Sequence, residues 1–101
     1  MVTFVNKVTV TGDVNEFLEI KESLTAYMSE QPGYQSSQML RSLHVPNVYI
    51  EMAVWDSADD HRNAVQSKDF QNLVGGFTAL ATVEPGLYEV CPNRPLPERS
   101  S

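Results

Sequence analysis

No stretch of the chain limits its architecture as strongly as Val48 to Trp55, VYIEMAVW. Successive side chains of a strand point to opposite faces, so Val48, Ile50, Met52 and Val54 form one row and Tyr49, Glu51, Ala53 and Trp55 the other. Both rows are largely apolar, which predicts a central strand covered on both sides. A sheet with helices on a single face would leave one row facing water as an apolar patch. A second copy of the chain is the simplest cover, at roughly 25 cal/mol per Å² of apolar surface buried. The sequence therefore predicts a homodimer, with packing by the C-terminal segment as the ordinary alternative.

The remaining elements follow from periodicity. Val2 to Thr11, VTFVNKVTVT, alternates as a strand, with Val2, Phe4, Asn6, Val8 and Val10 on one face. Asp13 and Glu16 have capping-box spacing, and Phe17, Ile20, Leu24, Tyr27 and Met28 recur at helical intervals. Glu16, Glu19, Lys21, Glu22 and Ser23 are expected mostly on the opposite side. Gln31-Pro32-Gly33 stops this helix. Tyr34 to Leu43 is a more polar second strand, and His44 to Asn47 a turn before the third. Ser57 caps a second helix running to about Gln66. Ser67 is a fresh cap, followed by the stripe Phe70, Leu73, Val74 and Phe77. Gly75-Gly76 weakens that helix by about 1 kcal/mol per glycine relative to alanine, so an end or distortion is expected there. Ala81 to Val90 is the last strand, with Pro85-Gly86 marking a bulge or an edge. The order βαββαβ predicts an α+β, ferredoxin-like fold: a four-stranded antiparallel sheet with the helices on one face. The domain spans residues 1–91, and 92–101 form a tail rich in Pro, Arg and Ser.

Composition excludes several classes of function. Of 101 residues, 42% are hydrophobic and 20% charged, which suits one globular domain and argues against disorder. Seven basic against thirteen acidic residues give a net charge of -6, so a nucleic-acid partner is not expected. No apolar run approaches the roughly 20 residues that span a bilayer. The start of the sequence lacks a basic region followed by an apolar stretch, and a cytoplasmic chain without a secretory leader is expected. The single cysteine, Cys91, allows neither an internal disulfide nor a multi-cysteine metal site. There is no phosphate-binding glycine loop, no His-x-x-x-His pair and no nucleophile elbow. His44 and His61 fall in a turn and in the second helix, and no metal site is expected.

The candidate functional residues are polar or amphipathic groups on apolar faces. Asn6 among Phe4, Val8 and Val10 must find partners or cost roughly 1–3 kcal/mol. It is either satisfied by backbone or water, or aimed into a pocket to bond a substrate oxygen. Trp55 is ordinary core or a pocket wall. Glu51 shares its face and is either a salt-bridged side chain or a candidate proton acceptor. His61 faces either the pocket or solvent, and Arg41 is expected in an ion pair. Phe4, Tyr49, Phe70 and Val74 are candidate substrate contacts, and Tyr34 and Tyr88 further aromatic walls.

Taken together, these pieces resemble the antibiotic biosynthesis monooxygenase family of dimeric ferredoxin-like proteins. The resemblance rests on FVNKVTVTGD, EQPGYQSSQMLRS, VYIEMAVWDSADDHRNAV, KDFQNLV and EPGLYEV, together covering about residues 2 to 90. Its most specific parts are the strand-ending Trp-x-Ser before a helix and the Gln-Pro-Gly turn. It implies a dimeric α+β barrel with a pocket between each sheet and its helices. It also implies oxidation of an anthrone-like aromatic polyketide to a quinone by molecular oxygen, with no flavin, haem or metal. The family's catalytic Asn and Trp fall on Asn6 and Trp55, and Glu51 and His61 fall where some members place further polar pocket residues. A haem-degrading branch adds a histidine ligand after the segment FQNL. That position here is Val74, so the haem reading lacks its axial ligand. Two other activities fit the same fold: a polyketide cyclase or isomerase, and a non-enzymatic small-ligand binding dimer.

Overall fold

The computed structural model describes residues 1–91. The expected order of elements is present, with β1 (Val2–Val10), α1 (Val14–Ser29), β2 (Tyr34–Arg41), β3 (Val48–Trp55), α2 (Ala58–Gln66), α3 (Lys68–Leu80) and β4 (Ala81–Tyr88). The four strands form one antiparallel sheet in the order β2-β3-β1-β4. β3 is thus internal, as its two apolar rows require. The sequence-derived boundaries overran β2 by two residues, Ser42 and Leu43, and β4 by two, Glu89 and Val90. The proposed tail, 92–101, lies outside the described residues.

The caps sit where the sequence puts them. Asp13 Oδ1 accepts from the Glu16 N–H at 2.8 Å, and Ser57 Oγ from the Asp60 N–H at 3.1 Å. Ser67 Oγ opens α3 by accepting from the Phe70 N–H at 3.1 Å, and it also bonds the Tyr27 hydroxyl at 2.5 Å, tying α3 to α1. Gly33 holds φ at 89°, and a Cβ there would collide with Asp60, so the Gln-Pro-Gly turn needs glycine at this place.

Packing corrects one expectation. α3 neither ends nor breaks at Gly75-Gly76 but runs on to Leu80. Its far half carries Phe77, which is buried with its ring 5.1 Å from that of Phe17. That contact lies in the core formed by Val8, Val10, Phe17, Leu24, Phe77 and Ala81. Burying a Phe side chain is worth about 1.5–3 kcal/mol, which offsets the low helix propensity of two glycines. Pro85 sits on the edge strand β4, as proline should, and the β1–β4 pairing continues through it in one register. The irregularity in the sheet falls instead in β2, between Tyr34 and Ser36.

All three helices pack on the face carrying Phe4, Asn6, Val8 and Val10. The opposite face carries Val5, Ile50, Met52 and Val54, half-buried, with Leu40 44% exposed. Among the described residues no helix covers this second row. No helix among the described residues is long and apolar enough to cross a membrane.

Candidate active site

Between the sheet and the helices lies a cavity of about 340 Å³, within the roughly 300–1,000 Å³ typical of small-molecule sites. Local sequence explains why it is hollow. Ala53 and Ser37 are small side chains on the sheet floor. Around them stand Asn6 and Glu51 on one side and Phe4 and Trp55 on the other. Leu24 and Met28 of α1 and Phe70, Val74 and Phe77 of α3 form the roof.

Asn6 is the only buried polar residue among the described ones, at 5% exposure. Its partners fix how the amide is turned. Oδ1 accepts from the Glu84 backbone N–H at 3.0 Å, beside Pro85, which stands opposite Asn6 and has no N–H to give. The amide nitrogen must then point the other way, and it donates to Glu51 Oε1 at 2.8 Å across the β1–β3 pair. An amide nitrogen carries two hydrogens, so one remains for a guest.

Glu51 continues the chain of contacts. Its Oε2 lies 3.1 Å from Lys21 Nζ, and both side chains are 16% exposed. Lys21 Nζ also donates to Thr25 Oγ1 at 2.6 Å. Sequence reasoning assigned Lys21 mostly to the outer side of α1 and so missed it. The signal was available: Lys21 falls four residues after Phe17 and three before Leu24, the two buried residues of the helix, and so belongs to their stripe.

The other end of the cavity is aromatic. Trp55 is 1% exposed, and its Nε1 has no hydrogen-bond partner. Its ring meets those of Tyr34 and His61 edge-on, each at 5.5 Å, while His61 stacks on Phe4 at 4.9 Å. Burial among these rings lowers the His61 pKa below its usual 6.5 by desolvating the imidazolium.

The structure thus brings Asn6, Glu51, His61, Trp55, Phe4, Phe70 and Val74 to one cavity. Asn6 and Trp55 stand at different ends of it: along the β1–β3 register Val2 faces Trp55 in the first pair and Asn6 faces Glu51 in the fifth, with the Phe4–Ala53 pair between them. Tyr49 is not on the cavity wall, a correction to its expected place. Its register sets it opposite Val8, where its ring packs 5.8 Å from Phe17 in the core. Tyr34 braces Trp55 from outside the lining, and Tyr88 is 59% exposed. Arg41 is exposed and has no ionic partner among the described residues. Among those residues no three His, Cys, Asp or Glu side chains gather as a metal-binding set.

Comparison with known proteins places the chain among relatives. Residues 1–75 match the family of antibiotic biosynthesis monooxygenases. The chain is 36% identical over 87 residues to deoxynogalonate monooxygenase of Streptomyces nogalater, covering 86% of this chain and 74% of that protein. It superimposes on SnoaB, a cofactor-independent oxygenase from Streptomyces nogalater, with a TM-score of 0.85 and 35% identity, over 96% of this chain and 97% of the other. A conserved protein from Methanosarcina mazei Go1, 15% identical, shares the fold with a TM-score of 0.78 over 88% of this chain and 92% of that one.

Proposed function

The chain belongs to the antibiotic biosynthesis monooxygenase family and is a monooxygenase, and from that premise we propose that it oxidises an enolisable polycyclic aromatic compound, anthrone-like to quinone, without a bound cofactor. The observation that carries this reading is the buried indole N–H of Trp55, left without an acceptor on the wall of an apolar cavity. An unmet buried donor costs roughly 1–3 kcal/mol, and a guest oxygen would relieve it.

The chemistry suits what the residues offer. A methylene beside an aromatic carbonyl loses a proton to give a delocalised enolate. Glu51 is the proton acceptor favoured by its place beside Asn6, and the neutral imidazole of His61 is a second. The free amide hydrogen of Asn6 donates to the enolate oxygen. The electron-rich enolate passes one electron to molecular oxygen, which makes a separate redox group unnecessary. Recombination gives a peroxide that Trp55 can hydrogen-bond, and loss of water leaves a carbonyl. The apolar roof keeps bulk water from the intermediates.

The same premise bears on assembly. The second row of β3, with Val5 and Leu40 beside it, is an apolar surface that no helix among the described residues covers, and a homodimer in which two sheets cover each other would bury it.

Metal-stripped protein incubated with dithranol, in air and without oxygen, tests the proposal against a protein-free blank. Quinone absorbance should rise only in air. Asn6→Ala should slow it about 100-fold, the usual loss for one donor to a developing oxyanion, and Trp55→Phe should slow it as well. Product without oxygen uptake would instead support a cyclase or isomerase. Guest binding without any turnover would support a binding protein.

A further inference from the structure

The ion pair between Lys21 and Glu51 lies in the cavity rather than at the surface, with each side chain 16% exposed. A buried pair seldom stabilises a fold more than apolar side chains of similar size would. Its position therefore calls for a reason other than stability. The ionisable side chains lining the cavity are Lys21 on α1, Glu51 on β3 and His61 on α2. Lys21 is the one ammonium among them, and it is held against the Glu51 carboxylate. Its ammonium has three hydrogens. One goes to Thr25 and one to Glu51, and the third has no protein acceptor among the described residues.

We propose that Lys21 is the counter-cation of the site, binding the anionic form of a planar phenolic or enolic guest. This rests on the oxygenase reading above. As the substrate C–H bond breaks, its proton goes to the Glu51 carboxylate, which becomes neutral. The electron pair stays on the substrate as the enolate. Lys21 then loses one anionic partner and gains another, so the cavity's net charge does not change during the step. When the enolate gives one electron to molecular oxygen, the substrate becomes a neutral radical and oxygen becomes superoxide. The same ammonium then faces the superoxide. In an apolar chamber each of these anions is worth far more to a fixed cation than it would be in water. Substrates are accordingly expected to be acidic phenols or enols rather than neutral polycyclic hydrocarbons.

The test reads charge rather than turnover. Alizarin, a planar hydroxyanthraquinone whose colour changes on ionisation, is bound to the protein and titrated by visible absorbance. Lys21→Met should raise the pH at which the bound dye ionises by about one unit, a tenfold weaker preference for the anion. Glu51→Gln should lower that pH by a similar amount, because Lys21 is then uncompensated. A merely structural salt bridge would not move the two variants in opposite directions. Lys21→Arg should stay near the wild type, and Lys21→Gln replaces Lys21→Met should the latter fail to fold. Shifts of the same sign, no shift, or no dye binding by the wild type would overturn the proposal. Oxygen plays no part in this titration. Opposite shifts together with no oxygen consumption on dithranol would therefore sink the oxygenase reading while leaving the charge assignment intact.

Discussion

Asn6 shows what a single side chain reveals before any coordinates are known. An amide in an apolar row had to be bonded, and it is, to the Glu84 backbone and to Glu51. Which atoms would supply those bonds was not legible, since Glu84 and Glu51 lie 78 and 45 residues away in sequence. Lys21 was misplaced because charge was given more weight than position, although its spacing from Phe17 and Leu24 set it on the inner stripe. Tyr49 shares a strand face with Trp55, yet packs in the core. Alternation identifies a face but not which part of it lies under a hollow. His61 gives a prediction at this scale. Its pKa is lowered by burial, so the unfolded chain takes up a proton near 6.5 while the folded chain does so only at lower pH. Between those values the unfolded state binds more protons, and stability must fall as pH drops through that window and recover as it rises. Thermal melting of His61→Gln should be flatter than wild type over that range. Equal slopes would mean that the imidazole is not desolvated.

At the scale of elements, the order and type of every strand and helix were readable because period and caps agreed: alternation in β1 and β3, and Asp13, Ser57 and Ser67 before three helices. The continuous α3 was not readable. Local propensity argues for a break at two adjacent glycines, and only the long-range contact of Phe77 with Phe17 decides otherwise. The two glycines differ in surroundings, and their substitutions should differ too. A Cβ on Gly75 meets nothing within 4 Å, while one on Gly76 would stand 3.2 Å from Ile20 Cδ1. Gly75→Ala should stabilise the protein by about 1 kcal/mol, the full difference in helix propensity. Gly76→Ala should gain less, because α1 must give way. Denaturant unfolding compares them, and equal gains would show that α1 and α3 are not in close contact at Gly76.

At the scale of the whole molecule, two apolar rows on one internal strand imply two covers, and the described residues of one chain supply one. The uncovered row leads to the proposed homodimer. Ile50→Glu, which places a charge in the middle of that row, should convert a dimer to a monomer in sedimentation. A wild type that already sediments as a monomer would refute the pairing. The fold class and the existence of a cavity were legible from the order of elements and from the family resemblance. At the cavity's polar end Asn6 and Glu51 were legible as candidates but Lys21 and the contacts among the three were not, because α1, β1 and β3 bring them together only in three dimensions. The account as a whole depends on dioxygen reacting with a guest inside this cavity. Turnover of dithranol by metal-stripped protein under isotopically heavy dioxygen, followed by mass spectrometry of the quinone, measures that directly. One heavy oxygen atom per product molecule is the predicted result, with the second oxygen atom leaving as water. A quinone whose new oxygen comes from ordinary water would contradict it.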